Sequence, residues 1–204
     1  MYAIVESGSI TQTFNNPRKL VINDIRYSTK IYSLWSVAEK KAIGLYEVEY
    51  DNTNKKDEAW YINTNQTLAY DSSGDKVVAS YGTATAKAIA DVNEVDDNGD
   101  PLLDSNGDQI VTKGLKTVKK EIIDQQCAGI LQPSDWRVIK AKETSTTMNS
   151  AWKTWRAAVR TKCNSMQTQI DGAANVDALA ALFTYTEQED KSVTRPLGEF
   201  PIKE

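Results

Sequence analysis

Seven carboxylates and no cation stand between Asp91 and Asp108: Asp91, Glu94, Asp96, Asp97, Asp100, Asp104 and Asp108. Acids this dense could hold calcium, whose ligands are carboxylate and carbonyl oxygens. An EF-hand loop needs acids or amides at positions 1, 3 and 5, Gly at 6 and a bidentate Glu at 12. With Gly99 at position 6, Glu94, Asp96 and Asn98 fall at 1, 3 and 5, but position 12 is Ser105. With Gly107 at position 6, position 1 is Leu102. Neither loop meets the requirement, so no metal is expected. The unit Asp-x-Asn-Gly-Asp occurs at 96–100 and again at 104–108, between the strand-like runs Val92–Val95, Pro101–Asp104 and Gln109–Thr112. Asn-Gly suits a type I′ turn, in which both central residues take positive φ. The stretch therefore reads as an acidic three-stranded β-meander that projects into solvent and leans on a neighbouring protein or on the Lys-rich segment after it.

Other reactive side chains are few. The chain contains no His, which removes Ser-His-Asp and Cys-His catalysis and imidazole metal sites. Cys127 and Cys163 fall in separate helical patterns without a CxxC spacing, which predicts a buried, reduced pair rather than redox or zinc chemistry. Carboxylates are plentiful, but no motif brackets two of them for glycosidase chemistry. No catalytic residue and no cofactor are expected, and the chain reads as a non-enzyme. Trp35, Trp60 and Tyr61 could form an aromatic platform for a sugar, or the core of a small sheet. A net charge of −4 gives no footprint for nucleic acid. No apolar run has the length of a membrane span, and the opening MYAIVESGSITQTF lacks the pattern of a leader.

The elements that must carry these residues divide in two. Residues 1–82 read as a small antiparallel β domain. Tyr2–Glu6 and Ile10–Phe14 flank Ser7-Gly8-Ser9 as a hairpin, and Leu20–Ile22 and Ile25–Tyr27 flank Asn23-Asp24 as another. Tyr32–Trp35 extends the sheet in this reading. Ser36 and Glu39 fit a capping box for a short helical insert, with Gly44 at its exit. Leu45–Tyr50, Glu58–Asn63, Thr67–Tyr70 and Lys76–Tyr81 complete the strands.

Residues 83–113 are a linker with the acidic meander, and 114–183 read as a helical hairpin. Leu115, Val118 and Ile122, widened by Ile123 and Cys127, form one apolar face, with Gly129 placed to end the helix. Pro133 predicts an extended residue before it, and Trp136 is a candidate anchor between two helices. Trp152, Trp155, Val159, Cys163, Met166 and Ile170 form an apolar seam on a second helix, flanked by the basic stripe Lys153, Arg156 and Arg160. Gly172 ends that helix, and Asn175 caps a last one at Val176–Phe183. Thr184–Glu204 is polar and proline-bearing, an extended tail expected to order only against a neighbour.

The run GILQPSDWRVIKAKE (129–143) followed by AWKTWRAAVRTKC (151–163) resembles the C-terminal region of bacteriophage tail-fibre assembly proteins, also described as tail assembly chaperones. In that family a Leu-x-x-x-Asp-Trp segment joins two helices, and the second carries a Tyr-Arg-x-x-(Leu/Val)-Arg core. The matching residues are Leu131, Asp135, Trp136, Arg156, Val159 and Arg160, with Trp155 where Tyr is usual. The opening MYAIVESG is similar to the front ends of such proteins, more loosely. The resemblance implies a phage tail protein, a structural part of the baseplate or tail-fibre apparatus or its assembly factor. Its partners would be tail-fibre or baseplate proteins in a symmetric, multi-copy assembly, in the virion tail or the host cytoplasm. Trp152, Trp155, Lys153, Arg156 and Arg160 are the expected partner-binding residues, and Trp136 the structural anchor. The alternative is a carbohydrate-binding module for host attachment, built on Trp35, Trp60 and Tyr61.

Overall fold

The computed structural model describes residues 1–203. It is an α+β protein of two compact units, Met1–Thr85 and Ala86–Glu204. The ribbon, the helices and the terminal segment, expected as separate stretches, belong to the second unit.

In the first unit β1 (Tyr2–Glu6) and β2 (Ser9–Phe14) form a hairpin, as do β3 (Leu20–Ile22) and β4 (Ile25–Tyr27). Both turn pairs, Ser7-Gly8 and Asn23-Asp24, take positive φ, the type I′ geometry that matches strand twist. The helical turn α1 (Ile31–Leu34) follows. The expected strand at Tyr32–Trp35 is absent because Ser28 turns the chain into a helix. Its Oγ accepts from Lys30 N–H at 3.3 Å and its carbonyl from Ile31 N–H at 3.3 Å. In α2 (Val37–Ala42) the capping box is present: Ser36 Oγ accepts from Glu39 N–H, and Glu39 Oε2 from Ser36 N–H at 2.7 Å. Gly44 leaves that helix at φ +80°, and a Cβ there would stand 2.5 Å from the Val5 carbonyl oxygen.

The remaining strands are β5 (Leu45–Asp51), β6 (Tyr61–Ile62), β7 (Gln66–Asp71) and β8 (Lys76–Tyr81), with β9 (Thr85–Ala86) at the sequence boundary between units. Of the expected Glu58–Asn63 strand only β6 forms. The main sheet has the order β2-β1-β5-β8-β7, and its outer strands β2 and β7 come back toward each other. It is mixed rather than antiparallel, because β8 runs parallel to β5. The β7–β8 hairpin inserts its more apolar strand: Val77 and Ala79 of β8 are buried, while β7 takes the edge. Ala3, Tyr46, Val48, Val77 and Ala79 fill one face of the sheet. Ile4 and Leu45 point to the other, against Leu20, Ile22 and Ile31. Consecutive side chains of a strand alternate faces, which is why neighbours such as Ala3 and Ile4 serve different cores.

The second unit opens with the acidic ribbon, β10 (Val92–Asn93) paired with β11 (Val111–Thr112). Its two turns are alike but are not type I′. Only Gly99 and Gly107 take positive φ; Asn98 and Asn106 do not. The reason is the acid that opens each turn. Asp96 Oδ1 accepts from Asn98 N–H at 2.8 Å and Asp100 N–H at 2.9 Å, and Asp104 Oδ1 from Asn106 N–H at 2.8 Å and Asp108 N–H at 3.0 Å. This fixes a type I turn followed by a left-handed Gly, the three-residue hairpin loop. The ribbon is also not a flat meander. Leu102 N–H donates to the Glu94 carbonyl at 3.0 Å, Ile110 N–H to Leu102 at 2.8 Å, and Glu94 N–H to Ile110 at 2.9 Å. Each strand thus meets both others in a triangle. Gln109 Nε2 sits at its centre, 2.7, 3.1 and 2.9 Å from the carbonyls of Glu94, Leu102 and Ile110.

Four helices follow: α3 (Leu115–Leu131), α4 (Asp135–Glu143), α5 (Ser150–Gly172) and α6 (Val176–Phe183). Helix α3 runs through Gly129, and Gln132 before Pro133 is helical, because Pro133 falls in the first positions of a 3₁₀ turn where its missing N–H costs nothing. Helix α4 starts at Asp135, whose acid suits a helix N-terminus. Val159, Met166 and Ile170 of α5, Ile123 of α3 and Leu179 of α6 are fully buried, each worth about 1.5–3 kcal/mol of transfer free energy.

The expected α3 face is rotated: Val118 and Ile122 are exposed. Instead the lysines turn toward α5 and α6. Lys116 Nζ donates to the Asp171 carbonyl at 2.7 Å, Lys120 pairs with the Asp171 carboxylate at 2.8 Å, and Lys119 lies 5.3 Å over the Phe183 ring. Cations at the α5 C-terminus complement the negative end of its dipole. The terminal segment is docked, not free. It forms the hairpin of β12 (Thr186–Glu187) and β13 (Val193–Thr194) and then buries Leu197 completely. Lys162 Nζ holds the Leu197 carbonyl at 2.8 Å, and Leu197 N–H donates to Leu182 at 3.1 Å.

Candidate functional site

The α3–α4 joint is built on one guanidinium. Helix α3 ends at Leu131 with an open carbonyl, as helix ends do. Arg156, reaching from α5, donates Nη1 to that carbonyl at 2.8 Å and also to Ser134 Oγ, which itself donates to the same carbonyl at 2.7 Å. Nη2 of Arg156 donates to the Asp135 carboxylate, the first residue of α4, at 2.6 Å. Arg156 is only 5% exposed. A buried cation is tolerated when it is paired and its donors are engaged, and here one planar fork joins a helix end to a helix start. Arg156 was expected on a basic stripe facing a partner. It is instead the structural anchor, because it lies one residue along from Trp155 and turns with the seam.

Trp136 takes the opposite fate. Expected as the plug between helices, it is 52% exposed, because Arg156 already occupies the space inside the joint. Helix α4 buries none of its residues, and Val138 and Ile139 stand exposed beside Trp136. Around this face the cations stack on indoles. The Arg137 guanidinium lies 4.5 Å from the Trp136 ring centre and 4.4 Å from that of Trp152. Lys140 Nζ is 6.0 Å from the Trp136 ring and Lys203 Nζ 5.4 Å from Trp152. Such contacts hold a ring in place while leaving its other side open. A cleft of about 240 Å³ opens between Trp136, Arg137 and Lys140 on one side and Thr146–Asn149 on the other.

Of the residues expected to bind a partner, Trp152 and Trp155 are half-buried and meet edge to face at 5.5 Å. Trp155 Nε1 donates to the Pro201 carbonyl at 2.9 Å, so this indole holds the chain's own terminal segment. Lys153 and Arg160 are exposed and, among the described residues, make no ion pair. Arg137 and Lys203 were not singled out from the sequence. Arg137 sits off the apolar period, and Lys203 lies far along the chain from the helix whose ring it covers.

The first unit offers less. A cleft of about 250 Å³ beside Lys40, Tyr46, Glu47 and Lys76 has its cations already paired, Lys40 with Glu47 at 2.6 Å and Lys76 with Glu49 at 3.5 Å. Burial pushes the Tyr46 phenol well above its ordinary range, helped by Tyr70 and by Asp75, whose carboxylate accepts from Tyr46 at 2.7 Å. Tyr46 is thus a hydrogen-bond donor at neutral pH, not a base. Trp60 is buried, and Trp35 packs edge-on to Tyr27 at 5.7 Å within the core cluster. With Tyr61, they do not form the exposed row a sugar would stack on.

The Cys163 thiol is pushed up to about 12, by burial first and by Cys127 beside it, which leaves it protonated and unreactive. Among the described residues no group of three or more His, Cys, Asp or Glu is placed to hold a metal. The ribbon acids Asp96 and Asp104 are committed to backbone amides. Among those residues, too, no helix is long and apolar enough to cross a membrane. Compared with family models, with curated proteins and with solved structures, the chain matches none.

Proposed function

We propose that this chain is a non-enzymatic bacteriophage tail protein, a structural component of the baseplate or tail-fibre apparatus or a factor in its assembly. It acts by protein–protein contact. The observation that carries the reading is the uncovered face of α4. A nine-residue helix with Trp136 and Ile139 outward on one face is anchored by the Arg156 joint and carries the cations Arg137, Lys140 and Lys142. An aromatic anchor beside cations, on a preorganised element, is the composition of an interface hot spot. Four of the six residues behind the resemblance to tail-fibre assembly proteins, Leu131, Asp135, Trp136 and Arg156, stand at this joint and its face.

Quantitative mass spectrometry of purified phage particles and of the infected lysate tests the reading. A fixed copy number per particle makes the chain a permanent tail part. Abundance in the lysate, bound to a tail component and absent from particles, makes it an assembly factor. Association with no tail component in either fraction overturns the proposal.

A further inference from the structure

The second unit carries two uncovered surfaces of opposite character. On the ribbon, Val95, Leu102, Leu103 and Ile110 are 52, 40, 55 and 41% exposed. A three-stranded element with its apolar residues in solvent is marginal by itself. Asp96 and Asp104 are held by their turns, but Asp97, Asp100 and Asp108 flank them with side chains that accept no hydrogen bond among the described residues. On α4, Trp136 and Ile139 share one face with Lys140, Lys142 is exposed on the same helix, and Lys153 is exposed on α5. Glu143 is the acid on that face, and Asp135 is engaged by Arg156. Among the described residues no ion pair joins a ribbon carboxylate to an α4 cation. Apolar area and charge on each surface therefore await a complement, and each surface is the complement of the other.

We infer that copies of this chain associate head to tail, the acidic ribbon of one seating on the α4 face of the next. The inference rests on the reading of α4 as a docking face and names its occupant. Leu103 would cover Trp136 and Ile139, while Asp97, Asp100 and Asp108 face Lys140, Lys142 and Lys153. The two patches differ, so the contact is heterologous, and repeating it gives a ring where the rotation closes and a filament where it does not. Opposite charges at the rim set register and encounter rate and make the contact sensitive to salt.

Sedimentation velocity of the full chain over a concentration series, at low and at high salt, tests this. Mass is expected to rise with concentration at low salt and to fall back at high salt. Lys140→Glu with Lys142→Glu and Lys153→Glu should weaken association about tenfold or more, as should Asp97→Lys with Asp100→Lys and Asp108→Lys. These positions lie on the surface, and circular dichroism checks that each variant folds; Leu103→Asn probes the same contact without reversing charge. An equimolar mixture of the two reversed variants should associate again, because each supplies the surface the other lacks. A chain that stays monomeric at low salt, association that both reversals leave unchanged, or a mixture no more associated than its components overturns the inference. A monomeric chain that still captures another tail protein through α4 overturns the self-pairing alone. Self-association of a chain found with no tail component overturns the tail reading alone.

Discussion

The α3–α4 joint and the acidic ribbon are both made of polar groups that satisfy backbone, yet they sit in opposite surroundings. At the joint a guanidinium 5% exposed closes a helix end, a serine and a carboxylate in one fork. In the ribbon, carboxylates in solvent hold the turns and a half-buried glutamine holds a triangle of strands. Water competes for each ribbon bond and for few of those at the joint. The same kind of contact is therefore worth most where removing one partner strands the others, and least where solvent replaces it. The joint fixes what the unit is; the ribbon remains available to something else.

The sharpest test of that difference is Arg156→Ala set against Trp136→Ala. Removing the guanidinium leaves the Leu131 carbonyl and Ser134 hydroxyl without their cation in a dry site, a loss of about 3 kcal/mol. The melting temperature should fall by several degrees, and α4 should lose helix. Arg156→Lys should recover only part, since an ammonium cannot span carbonyl, hydroxyl and carboxylate as a planar fork does. Trp136→Ala, at an exposed position, should cost about 0.5 kcal/mol or less. Equal losses in the two alanine variants, read by thermal melting, would erase the distinction between anchor and face.

This inversion also marks how far the sequence could be read. Both N-terminal hairpins, the capping box at Ser36 and the α6 cap at Asn175 follow from local chemistry and stand as expected. The seam residues Val159, Cys163, Met166 and Ile170 are buried as their spacing required. Reversals came where a distant partner decided. Trp136 reads as an anchor and Arg156 as surface until Leu131, 25 positions away, is known to need a donor. Asn98-Gly99 reads as type I′ until Asp96 accepts two amides and sets a longer loop. Strand direction in β8 depends on which strand of a hairpin turns inward, a choice of packing between 45–51 and 76–81 that no local pattern states.

Within the ribbon, Gln109 is the counterpart of Arg156: one side chain, three carbonyls. Its removal should do less. Gln109→Ala leaves the Glu94, Leu102 and Ile110 carbonyls to water that already reaches the ribbon, so about 1 kcal/mol of local stability is at stake. Amide hydrogen exchange at Leu102 and Ile110 should quicken severalfold while the global melt stays in place. A shift of the whole melting curve by as much as Arg156→Ala would mean the ribbon is integral to the helical core.

The smallest effect is acid opening of the ribbon turns. The Asp96 and Asp104 carboxyls are held below the usual carboxylate range, chiefly by the Asp100 and Asp108 amides and next by those of Asn98 and Asn106. A carboxyl lowered in the folded state contributes to stability above its unfolded value, near 4, and that contribution disappears as pH falls through the folded value. Amide shifts of Asn98, Asp100, Asn106 and Asp108, followed by NMR from pH 6 downward, should therefore hold steady and then move together below about pH 4. Asp96→Asn with Asp104→Asn keeps an acceptor oxygen at every pH and should flatten that transition. Because both groups are fully solvated, the helices should be unaffected, and the joint should stay closed while the ribbon opens. Amide shifts that track pH identically in the doubly substituted chain would show that these turns are held by something other than their opening carboxylates.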